Sequence, residues 1–255
     1  MSNVPIIQSV ERALRILDLF DEYHTEIKIT DISEQMGLHK STVHSLLKTL
    51  QKHHYIEQNP ENGKYHLGLK LFERGQYVIQ SRDLRSISKE HLINLSRETG
   101  KTVHLVILDG IEGVYIEKVE SSSATIVYSK IGKRVPIHSS GVGKALVAFL
   151  KTEEIERILD GYEFTPQTPQ TITSHELFLQ EIERIREIGY AIDNQENEPG
   201  VYCVAMPIRD YSGQAIAAIS ISGTSTTVTK ETVKHSVELL TATTQEISKK
   251  LGFGF

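Results

Sequence analysis

The stretch "MGLHKSTVHSLLKTLQKHHYI", residues 36–56, holds three lysines, four histidines and no carboxylate, in a chain of net charge −5. Its middle has helical periodicity, with Val43, Leu46, Leu47 and Leu50 at i, i+3, i+4 and i+7. Ser41 stands where a helix cap is expected, and Gly37 where a chain leaving an earlier helix takes positive φ. Opposite the apolar stripe lie Ser41, Thr42, His44, Ser45, Lys48 and Lys52, with Lys40 just ahead. Short hydroxyls, an imidazole and spaced cations suit a helix in the major groove of DNA, its N-terminal end toward the bases. Carboxylates on that face would repel phosphates, which gives the acid-free window a physical reason.

The flanks complete a plan. Upstream, Thr30 precedes the short helical run "DISEQM", which puts Ile32 and Met36 on one face. Before it, Ser9 is placed to cap a helix with apolar positions Val10, Ala13, Leu14, Leu17 and Phe20. Downstream, "YIEQNPENGKYHLG" reads as two short strands around the turn Glu61-Asn62-Gly63, a wing from which Lys64 and His66 reach DNA backbone or minor groove. A polar, basic outer face is common on soluble helices. The order helix, helix, glycine turn, helix, hairpin is far more specific and predicts a winged helix-turn-helix.

Hydrophobic content of 39% and charged content of 24% are those of a soluble globular protein. One cysteine, Cys203, excludes an intramolecular disulfide and suits a reducing compartment. No apolar run reaches the roughly 20 residues of a membrane span, and the N-terminus lacks a signal-like basic head and apolar core. A cytoplasmic protein with no membrane contact is the expectation. The organisation expected is residues 1–68 for the winged domain, 69–82 for a linker helix and 83–255 for a second domain of α+β class. In that domain strands are predicted at "TVHLVILDG", "EGVYIEKVE", "ATIVYSK", 190–193, 202–209 and 214–222, with helices at 83–99, 141–150, 153–159, 174–188 and 229–251.

The segment "HSSGVGKAL" is not a phosphate loop, since its glycines stand two apart and Ala145 follows the lysine. Ser140 is placed to cap the helix, while Gly141 and Gly143 let a ligand approach its free N–H groups, an arrangement that fits a small carboxylate. Tight helix–sheet packing is the alternative role for these glycines. In "AISIS", Ser220 and Ser222 share one strand face, either lining a pocket or lying on a partly exposed sheet. Nothing points to catalysis or a cofactor: Cys203 has no motif histidine, no histidine pair has metal-ligand spacing, and His138 lacks a Gly-x-Ser-x-Gly neighbour.

Over nearly its whole length the chain resembles the IclR family of bacterial transcription regulators. The likeness is carried by "SVERALRILDLF", "ITDISEQMGLHKSTVHSLLKTL", "YHLGLKLFERG", "GKRVPIHSSGVGKALVAFL", "GYAIDNQENEPGVYCVAMPIRDYSGQAIAAISISG" and the closing helix. The resemblance implies a GAF-like C-terminal domain that binds a small effector, and dimers or tetramers on palindromic operators in double-stranded DNA. Gly141, Val142, Asp193, Cys203, Ser220 and Ser222 match positions that line a small-acid pocket in some members. The expected function is a ligand-responsive regulator, a repressor, of a catabolic or metabolic operon, with a small organic acid as effector. The alternative is a metabolite-binding enzyme or sensor whose N-terminal domain binds a protein partner. The residues expected on DNA are Lys40, Ser41, Thr42, His44, Ser45, Lys48 and Lys64.

Overall fold

The computed structural model describes residues 6–21, 23–81, 84–120 and 129–254. The chain divides into two compact units, residues 1–81 and 82–255.

The first unit runs α1 (Gln8–Leu17), α2 (Ile29–Met36), α3 (Lys40–Lys52), β1 (Ile56–Gln58), β2 (Tyr65–Leu67) and α4 (Leu69–Ser81). Gly37 ends α2 with φ +62°, as its position before α3 requires. The caps differ from expectation. Each helix begins earlier, because Ile7, Lys28 and His39 take extended backbone and their carbonyls accept the first helical N–H groups. Ser9, Thr30 and Ser41 therefore lie inside their helices. The core face of α1 is also rotated: Ile16 is buried, as is Phe20 just beyond the helix, whereas Val10 and Leu14 are 53% and 57% exposed. Ile16 and Phe20 join Ile27, Ile32, Met36, Val43, Leu47, Ile56 and Tyr65 in one core, against which Leu46 and Leu50 pack in part.

β1 and β2 pair antiparallel, Glu57 opposite His66, and Ile27 exchanges both backbone hydrogen bonds with Tyr65 at 2.9 and 2.8 Å. Glu26 holds the turn, accepting from Asn59 Nδ2 and Asn62 Nδ2 at 2.9 Å each. Both bonds hold its carboxyl below the usual range.

The second unit is α+β. Its elements are α5 (Leu84–Thr99), β3 (Thr102–Asp109), β4 (Glu112–Val119), β5 (Arg134–Pro136), α6 (Gly141–Ala148), α7 (Thr152–Leu159), α8 (His175–Ile188), β6 (Ala191–Asn194), β7 (Val201–Arg209), β8 (Ala215–Thr224) and α9 (Lys230–Lys250). The strands form one antiparallel sheet in the order β5-β4-β3-β8-β7-β6. β5 was not foreseen, being too short for a periodic signal. The strand expected at "ATIVYSK" falls mostly on residues 121–128, outside the described residues. α5 and α9 pack against one sheet face through Leu92, Ile219, Ile221, Leu240 and Ile247. α6, backed by α7 and α8, covers the other through Val142, Leu146, Ala205 and Ala218. With both faces covered, β8 is buried along nearly all its length.

Candidate functional site

Each unit holds one candidate site. In the first, α3 buries Val43 and Leu47 and leaves Lys40, Ser41, His44, Ser45 and Lys48 exposed, with Thr42 half-buried. Ser45 Oγ donates to Ser41 O at 3.1 Å and Thr49 Oγ1 to Ser45 O at 3.0 Å, so both hydroxyls are tied to the helix with lone pairs outward. Lys48 Nζ donates to Gln51 Oε1 at 3.2 Å, a weak exposed bond that a phosphate replaces readily. Lys64 lies half-buried at the wing, directly before β2.

The second site lies where α6 begins against the sheet. Ser140 caps α6: its Oγ accepts from Gly143 N at 3.1 Å and donates to Pro136 O at 2.6 Å. The α6 start leaves the N–H groups of Gly141 and Val142 without helical partners. The glycines differ in role. A Cβ on Gly143 would stand 2.5 Å from Ile137 Cα and 2.8 Å from Pro136 O, so packing requires this glycine. A Cβ on Gly141 would meet Asp193 N and Ala205 Cβ at an ordinary 3.5 Å, which places the helix start directly over β6 and β7.

Strand register assembles the rest. Asp193 lies opposite Cys203, and Cys203 opposite Ser222. One row over, Ala205 lies opposite Ser220 and Ser220 opposite His104. Gly141, Asp193, Cys203, Ser220 and Ser222 are thus brought together on the α6 side of the sheet, all buried, while Val142 also belongs to the core beside them. The serines are a fully covered face, not a partly exposed one. A 240 Å³ cleft lies beyond Tyr115, lined also by Lys133, Gln167 and Asn197, and none of the six expected effector residues lines it.

Buried polar groups here are cross-satisfied. Asp193 Oδ1 accepts from Glu196 N at 2.7 Å and Asn197 N at 3.3 Å. Burial nevertheless pushes the Asp193 carboxyl up to about 7. Burial also pushes the Cys203 thiol up, with Asp193 adding to the effect, which keeps it protonated and unreactive. Lys144, fully buried, places Nζ 2.7 Å from both Glu196 oxygens and 3.5 Å from Glu181 Oε1. That ion cluster ties α6 to α8 and to the loop after β6. His138 is structural: Nδ1 meets Tyr162 OH at 2.7 Å and Nε2 meets Thr165 O at 3.0 Å. His104, Ser129 and Lys144 escaped sequence reasoning, since only register and burial reveal them.

The raised Asp193 value has a definite pH consequence. The folded unit favours the protonated acid, so this group's stabilisation is complete below the ordinary value of about 3.9 and is lost as pH rises through about 7. Asp193→Asn keeps the oxygen acceptor for both amides and removes the titration. Melting followed from about pH 5 to pH 8 is expected to fall more steeply in the wild type than in the variant. Parallel curves would place the titration elsewhere.

Comparison with known proteins identifies the family of both units. The IclR helix-turn-helix domain matches residues 9–60, and the C-terminal domain of the bacterial transcriptional regulator IclR matches residues 76–249. The HTH-type transcriptional regulator XynR of Escherichia coli K12 is 53% identical over 250 residues, covering 98% of this chain and 99% of its own. The HTH-type transcriptional repressor AllR of the same strain is 35% identical, covering 96% of this chain and 90% of its own. The crystal structure of Thermotoga maritima IclR superposes with a TM-score of 0.79 at 34% identity, covering 96% of this chain and 99% of that one. These relatives are named as regulators rather than enzymes, and among the described residues no helix is long and apolar enough to cross a membrane. The chain belongs to the IclR family of bacterial transcription regulators and is a ligand-responsive DNA-binding protein.

Proposed function

We propose that this regulator acts in the cytoplasm as a repressor, binding a palindromic operator as a homodimer or tetramer and answering to a small organic acid. In this reading Lys40, Ser41, Thr42, His44, Ser45 and Lys48 meet the major groove, and Lys64 the backbone beside the wing. The effector occupies the sheet face beneath α6, its carboxylate on the N–H groups of Gly141 and Val142 and its other polar atoms toward Asp193, Cys203, Ser220 and Ser222. The observation that carries it is the Asp193–Cys203–Ser222 row lying directly under a capped helix start. AllR, named a repressor, supports the sign of control. Ile6, Ile7, Val10 and Leu14, all more than half exposed, form an apolar patch on the first unit that supports association of copies. α4 carries the effector's influence to the DNA-reading unit. The effector changes operator affinity by its preference between two arrangements, typically ~1–3 kcal/mol.

A thermal-shift screen against 2-oxo acids, sugar acids and aromatic acids tests the effector half. A ligand at 100 times its Kd adds about 2.7 kcal/mol of stability. A panel without a hit would refute the acid-effector reading. For the DNA half, Lys48→Ala is expected to weaken binding on all sequences alike and lower the salt slope of log K by about 0.9, the loss of one phosphate contact. An unchanged slope would remove Lys48 from the phosphates.

A further inference from the structure

His104 lies on the α6 side of the sheet and is 2% exposed. Its Nδ1 stands 3.2 Å from Ser220 Oγ and 3.3 Å from Ser222 Oγ, and those oxygens are 3.2 Å apart. Its Nε2 lies 2.8 Å from Ser129 Oγ, and the ring leans on Tyr115 with centroids 5.1 Å apart. Tyr115 also lines the 240 Å³ cleft, so the imidazole sits one side chain from that cleft. A hydrogen-bonding ring contacting three hydroxyls is a costly thing to bury for packing alone.

We propose that His104 is a further residue of the effector site, a positioning residue whose Nδ1–H donates to the Ser220–Ser222 pair and so frees a hydroxyl hydrogen of that pair for the ligand. This rests on the reading that the effector occupies the sheet face beneath α6. Donor count sets which tautomer serves an acid ligand. Burial, helped by the Lys118 charge, drives the His104 pKa down to about 3, so the ring is neutral and has one donor and one acceptor nitrogen. With Nδ1 as acceptor, the triangle of ring and two hydroxyls consumes serine hydrogens and presents lone pairs, which repel a carboxylate. With Nδ1 as donor, the ring adds a third hydrogen to the triangle, so one serine hydroxyl hydrogen is left over for a carboxylate or carbonyl oxygen while Ser220 and Ser222 stay bonded to each other. Ser129 Oγ–H then donates to Nε2. An acid effector selects this second tautomer.

The experiment has two readouts on the full-length protein. Long-range ¹H–¹⁵N spectra of histidine-labelled protein report the ring directly: His104 is expected as the neutral Nδ1–H tautomer, and an Nε2–H ring overturns the proposal without touching the effector reading. Binding is then measured by thermal shift and calorimetry with pyruvate, gluconate and 4-hydroxybenzoate as probes. For whichever probe binds the wild type, His104→Leu is expected to weaken binding at least about tenfold and His104→Asn, which returns an N–H near Nδ1, to hold it within about threefold. His104→Gln, which reaches toward Ser129 instead, groups with the leucine variant. Equal binding by wild type and His104→Leu overturns the role of His104 alone. No binding of any probe to the wild type overturns the underlying effector reading, and this proposal with it. Should His104→Leu fail to fold, the asparagine–glutamine contrast and the ring spectrum decide.

Discussion

Lys144→Met is expected to destabilise the 82–255 unit by about 3–5 kcal/mol, the usual cost of removing one partner from a buried ion pair. The lysine is fully buried, and its removal strands Glu196, 13% exposed, while Glu181, 15% exposed, keeps only Arg184. Desolvation already pushes Glu196 above its ordinary range, with Lys144 pulling it part of the way back. Glu181 differs, because Arg184 and Lys144 together outweigh its desolvation and hold it low. Without the lysine, Glu196 must bind a proton to stay buried, so the loss is expected to shrink as pH falls. At roughly 2–4 °C per kcal/mol for a unit of this size, the melting midpoint drops by on the order of 10 °C. Lys144→Met combined with Glu196→Gln is expected to recover part of the loss, a double-mutant coupling measurable by denaturant titration. A single-variant cost under about 1 kcal/mol would mean that the cluster is hydrated and holds little together.

Gly68→Ala is expected to be the most damaging small substitution in the DNA-reading unit. A Cβ there would stand 2.2 Å from His54 O and 2.9 Å from His54 C. Both atoms are backbone, and His54 is itself in the left-handed region at φ +62°. Gly68 N also donates to Tyr55 O at 2.9 Å, so the chain cannot simply swing away. The clash exceeds ordinary overpacking, which costs about 1–3 kcal/mol, and the expected loss is at least 3 kcal/mol. Operator binding is expected to disappear with it, because β2 and the start of α4 must move relative to the end of α3. The check is a gel-shift titration beside circular dichroism. Wild-type affinity in Gly68→Ala would show that the wing junction bends without cost.

The DNA-reading half was legible because its signals are local. Helical spacing, a glycine between two helices and a turn sequence each need only a few neighbouring residues. What failed there was one turn in scale: Ser9, Thr30 and Ser41 have capping side chains, but the helices begin earlier. α1 has more apolar residues than its core face needs, so Val10 and Leu14 read as core yet lie outside. In the second unit Ser140 was readable as a cap because the cap and its N–H lie three residues apart. His104 was not, because its partners Ser220 and Ser222 are more than a hundred positions away and only the β3–β8 register joins them. Lys144 had the same difficulty. In sequence it is one more lysine beside glycines, and only the fold brings Glu196 and Glu181 around it. Asp193 and Cys203 were reached through family resemblance, and the β6–β7 register supplies the physical reason that they belong together.

The covering of β8 on both faces also sets a clock. Its amides are shielded by paired strands at each side and by helices above and below, so they exchange with solvent only when the unit opens as a whole. The strand that bears Ser220 and Ser222 is therefore expected to be among the slowest to exchange in the 82–255 unit. If the proposed effector does sit on those serines, its bound lifetime is expected to follow how often α6 and the loop tied to it by Lys144 give way.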